Sequence, residues 1–353
     1  MTPAFWAGKK VLVTGHTGFK GAWLCHWLLG MGAKVSGLAL EASHPDAVFT
    51  RTGLKQKLTA HTVVDIRDAA ATSEAIRAAA PDIVLHLAAQ ALVREGYTAP
   101  IETYAVNVMG TVHVLDALRA VPSCKAAVII TTDKCYENTG WVWPYRETDR
   151  LGGHDPYSNS KACTELVADA YRRSFLTAQG LRLATARAGN VIGGGDWAKD
   201  RLSPDAVMAF RRGESLTVRM PHAIRPWQHV LEPLAGYLLL AEKLYTADAA
   251  IAPAYNFAPD EVATVGEVLD IFKTAWGQGA AWHTDSSGIG AYKESAILKL
   301  DASLAKADLN WQPRLSLKAA LDLTAAYYSK ETTPGADLAA LIHQQIRDYT
   351  PFL

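Results

Sequence analysis

The stretch TTDKCY, residues 131–136, sets Thr132, the acid Asp133 and the base Lys134 in a row at the end of the apolar run AAVIITT (126–132). Polar groups at the carboxyl end of a parallel strand stand where such sheets bind ligands. A solvated turn has the same composition. A second stretch, YSNSK, places Tyr157 and Lys161 four apart at the head of a helical pattern, which brings both to one face. A free tyrosine titrates at about 10 and is a poor base at neutral pH. A neighbouring ammonium favours the phenolate. A tyrosine so tuned can move a proton to or from an alcohol while a hydride moves at the same carbon. Alone, the pair is also what a surface helix carries.

A third stretch, VTGHTGFKG, follows the first apolar run and opens a helical one, with Gly15, Gly18 and Gly21 in a G-x-x-G-x-x-G array. Glycine permits the tight turn, the close approach of backbone to a pyrophosphate, and close packing of helix on strand. The helix N-terminus then offers free N–H groups to phosphates. Strand, glycine turn and helix in that order predict a dinucleotide site, with His16, Phe19 and Lys20 of the same loop beside it. Glu41, after the second apolar run, is placed to reach a ribose hydroxyl. No arginine follows at once to receive a 2′-phosphate, which favours NAD over NADP. Asp65 and Ile66, closing the third run, fall where an adenine would lie.

These residues need elements to hold them. Continuous apolar runs recur at 10–14, 34–40, 61–66, 82–89, 126–132 and 181–188, with helical patterns near 20–31, 71–80, 101–120 and 161–176. Runs that do not alternate suit strands covered on both faces. The rhythm predicts an α/β fold, a doubly wound parallel (Rossmann) sheet with a smaller mixed C-terminal substrate domain. The expected division is residues 1–187 for the dinucleotide-binding domain and 188–353 mainly for the substrate domain. A segment near 228–258 is expected to return to the sheet, with PAYNFA (253–258) as its strand. Further helical stretches lie near 264–276 and 316–329. His86, inside an apolar run, reads as a core histidine. Trp141 and Trp143, in an insertion before Tyr157, are candidates for the wall of a sugar pocket.

The chain has 353 residues, 49% of them hydrophobic and 20% charged, with Lys+Arg and Asp+Glu both at 35. A net charge of zero gives no global field to recruit nucleic acid or an anionic membrane. Cys25, Cys124, Cys135 and Cys163 form no C-x-x-C pair and no Cys/His cluster, so no metal site and no disulfide framework are expected. Isolated thiols suit a reducing cytosol. No signal-peptide pattern opens the chain, and no run approaches the roughly 18 apolar residues of a membrane helix. A cytoplasmic protein is expected.

The array T-G-x-x-G-x-x-G is residues 14–21, HLAAQ is 86–90, NVMGT is 107–111 and Y-x-x-x-K is 157–161. AGNVIGGGDW (188–197), RPWQHV (225–230) and LKLDASLAKADLNWQP (298–313) follow. With these motifs the chain resembles the extended short-chain dehydrogenase/reductase family over nearly its whole length. Within it, GHTGFKGAWL, TTDKCYEN, GWVWPYRE, DPYSNSKACTELV, GNVIGGGDWAKDRL and RPWQHVLEPL are similar to the CDP-glucose 4,6-dehydratases.

The resemblance implies tightly held NAD and a nucleotide-sugar substrate. Thr132 would hold the sugar 4-hydroxyl beside Tyr157, which takes its proton as hydride leaves C4. The 4-ketone acidifies the C5 proton. Asp133 and Lys134 would divide two tasks, removal of that proton and protonation of the departing 6-hydroxyl, before hydride returns to C6. Related dehydratases commonly carry Asp-Glu here, and Lys134 departs from that pattern. A lysine base must be neutral, which burial and nearby cations favour. Asp133 as acid and Lys134 as C5 base is the expected split. The reverse, a shared proton, or Lys134 as a sugar- or phosphate-binding cation stay open. The resemblance also sets Ala88 and Ala89 at the cofactor, and Gln90, Asn190 and Arg225 at the substrate, with Arg225 on the diphosphate. Helices 101–120 and 161–176 resemble those that pair subunits, which implies a homodimer or homotetramer. Three alternatives remain. One is the same reaction on a GDP-, UDP- or dTDP-sugar. Another is an epimerase or C4 reductase, which has no use for the Asp133–Lys134 pair. The third is a dinucleotide sensor, which has no use for Thr132, Tyr157 and Lys161.

Overall fold

The structure is a computed structural model and describes residues 2–247, 251–285 and 295–352. Strands β1 (Lys10–Thr14), β2 (Lys34–Ala39), β3 (Ala60–Val63), β4 (Ile83–His86), β5 (Ala126–Ile130) and β6 (Arg182–Ala188) form in turn with helices between them. Short strands follow: β7 (Asn190–Ile192), β8 (Ser215–Val218), β9 (Ile224–Arg225), β10 (Trp227–His229), β11 (Ala254–Phe257), β12 (Ala263–Thr264) and β13 (Ala281–Thr284). β11, the PAYNFA strand, returns beside β6 and completes a seven-stranded sheet of order β11-β6-β5-β4-β1-β2-β3. Every pairing in it is parallel. The remaining strands pair two by two, β10 with β7, β12 with β9 and β13 with β8.

Each of the inner strands is apolar on both sides because each side meets its own layer. Val11, Val13, Ile83, Leu85 and Val128 join a core with Trp23 and Trp27 of helix Phe19–Gly30 and Leu234 and Leu238 of helix Leu231–Thr246. Their neighbours Leu12, Val84, Ala127 and Ile129 join a second core with Ile76, Val114, Leu115 and Leu118 from helices Ala69–Ala79 and Gly110–Leu118. The chain runs outward from β1 to β3, then crosses back to β4 on the other side of β1. Ligands of open α/β sheets bind at such a reversal, beyond the carboxyl ends of the strands.

Strand ends fall short of the apolar runs. β4 stops at His86 and β5 at Ile130, so Leu87, Ala89, Thr131 and Thr132 leave the sheet as walls of a cleft. The expected helix over 101–120 is in three pieces, Pro100–Tyr104, a π turn at Ala105–Met109, and Gly110–Leu118. The Thr111 and Thr164 hydroxyls bond the Asn107 carbonyl at 2.7 and 2.9 Å, and a π turn of this kind commonly marks a functional site. Helices Leu202–Arg211, Leu231–Thr246, Ser303–Leu309 and Leu338–Tyr349 were not expected from the sequence.

Behind the end of β5 lies a buried ion pair. Arg187 of β6 meets Glu165 of helix Pro156–Tyr171 at 2.8 Å, and each side chain is 4% exposed. Glu165 also accepts from the Thr131 and Thr185 hydroxyls, and Arg187 donates to the Tyr136 hydroxyl at 2.7 Å. Removing one partner strands a buried charge. Arg187→Met is therefore expected to lower the free energy of unfolding by about 3–5 kcal/mol in urea titrations, and Glu165→Leu combined with it by less.

Candidate active site

The glycine loop leaves β1 at Thr14. Gly15 has φ +71°, and a Cβ there would lie 2.7 Å from the Ala88 amide nitrogen. A Cβ on Gly21 would lie 2.2 Å from the Gly15 carbonyl oxygen. Only glycine lets the loop, the β4 end and the helix meet so closely. Gly18 caps helix Phe19–Gly30 with no side-chain hydrogen bond, so the first-turn N–H groups have no capping side chain. By geometry and helix dipole such a turn could hold a phosphate. Ala89 and Lys20 line the cleft beside it. The half-buried Lys20 ammonium is 3.5 Å from the Tyr237 hydroxyl. Burial, then the charges of Arg201 and Lys161, bring its pKa down to about 7.

The residues of the two chemical stretches converge on this cleft, a cavity of about 700 Å³. Thr132, Asp133 and Lys134 come from the turn after β5. The Thr132 hydroxyl accepts from the Lys134 amide at 3.3 Å and donates to Asp133 Oδ1 at 3.0 Å. Asp133 is 1% exposed, its Oδ1 lies 3.6 Å from Lys134 Nζ, and its Oδ2 has no hydrogen-bond partner. Lys134 reaches toward solvent, with its side chain 31% exposed. Asp155 caps helix Pro156–Tyr171 and Pro156 fixes its first turn, which sets Tyr157 and then Lys161 on the cleft side. Lys161 Nζ donates to the Ile130 carbonyl at 3.2 Å. Burial lowers its pKa to about 8, against the pull of the Glu165 carboxylate one turn on. The Tyr157 phenol lines the same cleft as Thr132. Burial pushes it up to about 12, while Thr132 and the Arg201 charge draw it down.

On the opposite wall, Asn190 of β7 presents a buried Oδ1 with no partner, and Arg225 of β9 forks onto the Ile224 and Ser295 carbonyls at 2.8 and 2.5 Å. Two arginines that the motifs did not single out, Arg94 and Arg201, also line the cleft. Arg94 is ion-paired with Asp200, which joins the two sides of the cleft. Asp196 holds Arg201 at 3.2 Å. The sequence signal for Arg201 lies in GNVIGGGDWAKDRL.

Other expected site residues do not line this cleft. The His16 ring turns away from the cleft. It lies against Gly37 of β2, where a Cβ would meet it at 2.4 Å, and its Nε2 bonds His61 at 2.7 Å. The Gln90 side chain is spent on its own turn, donating to the Leu92 carbonyl and Thr103 and accepting from the Leu92 amide, and it is not among the lining residues. Asp65 pairs with Arg67 at 2.6 Å. Ile66 packs against Gly110, its carbonyl accepts from His113 at 2.8 Å, and Phe19 packs against Gly193. Trp141 and Trp143 are exposed and do not line the cleft, because the insertion turns Tyr145 inward instead. His86 is the core histidine expected: Thr14 and Thr111 hydroxyls lie 2.7 and 3.2 Å from its two nitrogens, and burial lowers its pKa to about 3. Among the described residues no group of three or more metal-ligating side chains and no helix long and apolar enough to cross a membrane is present.

Comparison with known proteins agrees with this geometry. The family model of GDP-mannose 4,6 dehydratase matches residues 12–324. The chain is 47% identical over 352 residues to CDP-glucose 4,6-dehydratase of Salmonella typhimurium, covering 98% of this chain and 97% of that protein. Among solved structures it is similar to UDP-glucose 4-epimerase of Thermotoga maritima with UDP-glucose, at TM-score 0.78 and 22% identity, covering 92% of this chain and 99% of the other. It is also similar to dTDP-glucose 4,6-dehydratase of Bacillus anthracis in complex with NAD, at TM-score 0.76 and 21% identity, covering 91% and 97%. The chain belongs to the GDP-mannose 4,6 dehydratase family of extended short-chain dehydrogenases/reductases.

Proposed function

We propose that the chain is a CDP-glucose 4,6-dehydratase that holds NAD and forms CDP-4-dehydro-6-deoxyglucose and water. The observation that carries this reading is the Asp133–Lys134 pair, 3.6 Å apart on the same cleft as Thr132, Tyr157 and Lys161. An epimerase or a reductase needs the last three alone. The full-length relative at 47% identity supports CDP-glucose as the substrate.

The glycine loop and the uncapped helix N-terminus fit a dinucleotide pyrophosphate, with Ala88, Ala89 and Lys161 beside its path. Bound NAD⁺ would accept the C4 hydride and later return it to C6, and its positive ring would favour the Tyr157 phenolate. Thr132 orients the 4-hydroxyl, and Tyr157 takes its proton. Lys161 supplies positive charge one helical turn away. The Asp133–Lys134 pair carries its proton either as carboxylate and ammonium or, after one transfer, as carboxylic acid and amine. In the second form the Lys134 amine removes the C5 proton. Asp133 gives its own to the 6-hydroxyl, which departs as water. Lys134 then returns its proton to C5 as hydride reaches C6. Asn190 and Arg225 are the groups proposed for the nucleotide-sugar side of the cleft, with Arg225 on the diphosphate.

CDP-glucose carrying deuterium at C4 tests the sequence of steps. The product is expected to carry that deuterium at C6 and, in D₂O, solvent deuterium at C5. Label retained at C4 with no loss of water would replace this reading with an epimerase. A second test concerns the cradle. Gly15→Ala needs a Cβ where the Ala88 backbone lies and a positive φ that alanine resists. Strain of about 1–3 kcal/mol is expected to weaken NAD binding about tenfold or more, read by calorimetry.

The same reading takes the chain as a homodimer or homotetramer in the cytoplasm. It is supported by Ile101 and Met109 on the segment 100–118, and Leu166 and Phe175 on 156–176, all large apolar side chains left exposed.

A further inference from the structure

We propose that Tyr136 is a positioning residue for the elimination half of the reaction, because its hydroxyl ties the Asp133–Lys134 turn to the sheet. The role rests on the dehydratase reading, in which a base must meet C5 while an acid meets the 6-hydroxyl. A misplacement of about 1 Å in such an arrangement can cost about 10²-fold in rate. The turn that carries both groups does little to hold itself. The Cys135 amide bonds the Thr132 carbonyl and the Lys134 amide bonds the Thr132 hydroxyl, both at a long 3.3 Å. The partners of Asp133 Oδ1, Thr132 and Lys134, belong to the same turn, and Oδ2 has none.

The turn is held at its ends instead. At the near end, the Thr131 amide bonds the Ala186 carbonyl of β6 at 2.9 Å, and the Thr131 hydroxyl donates to Glu165. At the far end, the Tyr136 hydroxyl donates to Asn256 Oδ1 of β11 and accepts from Arg187 Nη1 of β6, each at 2.7 Å. Both partners are themselves fixed. Glu165 pairs with Arg187, and the fully buried Asn256 gives its amide hydrogens to the Tyr145 and Asp301 carbonyls, each at 3.0 Å. Backbone bonds also leave this end, from the Gly152 amide to the Cys135 carbonyl at 2.8 Å and from the Glu137 amide to the Arg150 carbonyl at 2.9 Å. They reach residues 150–152, which lie outside every strand of the sheet. The Tyr136 hydroxyl carries the hydrogen bonds from this end to β6 and β11. It has no proton to give to the reaction. Tyr136 lines the cleft, but Asn256 and Arg187 do not, and burial pushes the phenol well above the usual tyrosine range, against the pull of the Arg187 charge. The oxidation half depends less on this tie. Thr132 stands beside the near end, and Tyr157 and Lys161 stand on a helix with its own cap.

Tyr136→Phe keeps the ring that stacks on Tyr145 and removes the hydroxyl alone. The variant, loaded with NAD⁺ and mixed with CDP-glucose, is followed by NADH absorbance, by C5 exchange in D₂O and by loss of water. NADH is expected to form within about threefold of the unaltered rate, while C5 exchange and water loss slow by about 10–10²-fold. NADH then builds up before product appears. Asn256→Ser, which takes the acceptor away from the same hydroxyl, carries the same test if Tyr136→Phe does not fold. An equal fall in oxidation and elimination, or no fall in either, would overturn the role. Tyr349→Phe removes another buried hydroxyl, bonded to Glu232 at 2.7 Å and away from the cleft, and should slow neither half. If it reproduced the split, the effect would be one of stability and the positioning role would fall. If the unaltered enzyme forms no product from CDP-glucose, it is the dehydratase reading that has failed.

Discussion

Tyr157→Phe is expected to lower kcat by about 10²–10⁴-fold while leaving NAD affinity nearly unchanged. The phenol faces the same cleft as Thr132 from the first turn of helix Pro156–Tyr171. Phenylalanine keeps the ring in the same place and removes only the proton carrier. Steady-state assays with calorimetry on NAD check both halves. Full activity would remove Tyr157 from the chemistry. A large loss of NAD affinity would give it a binding role instead.

The second large effect separates oxidation from elimination. Lys134→Met removes the proposed C5 base but leaves Thr132, Tyr157 and Lys161 in place. On mixing with CDP-glucose it is expected to accumulate NADH, seen by absorbance. Exchange of the C5 proton with D₂O should be slower by about 10²–10⁴-fold. Asp133→Asn should behave in the opposite way, exchanging the C5 proton while losing no water. The two variants together test the split of roles between neighbours 3.6 Å apart. Wild-type exchange in Lys134→Met would pass the base role to Asp133.

Much of this is legible in the sequence. Strands covered by helices on both faces must be apolar at every position, so β1, β4 and β5 stand out in sequence as unbroken runs. Thr132–Lys134 and Tyr157–Lys161 are local spacings, and a spacing survives folding. What was hidden depends on contacts between distant segments. Helix Leu231–Thr246 is buried on most of its surface, so it has no polar stripe to mark its period. Arg94 and Arg201 come to one cleft from segments more than a hundred residues apart in the chain, and nothing local ties them. His16 was expected at the cofactor because it stands between two functional glycines. The strand β2 glycine, Gly37, opens a hole on the far side, and the imidazole fills it. Gln90 was expected at the substrate on the strength of HLAAQ, yet the π turn offers Asn107, which holds the Gln90 backbone while its amide closes the turn on Leu92. Trp141 and Trp143 show the limit of inferring a wall from residue type alone. The aromatic that the insertion buries is Tyr145, stacked on Tyr136 with ring centres 5.2 Å apart.

The most direct measurement is the loss of one water, followed by mass spectrometry. The purified chain and NAD⁺ would be incubated separately with CDP-, dTDP-, GDP- and UDP-glucose, GDP-mannose and UDP-N-acetylglucosamine. Loss of water from CDP-glucose, with the others unchanged, is the expected result. Loss from another sugar would keep the Asp133–Lys134 chemistry and discard CDP-glucose as the substrate. No loss from any of the six would contradict the dehydratase itself.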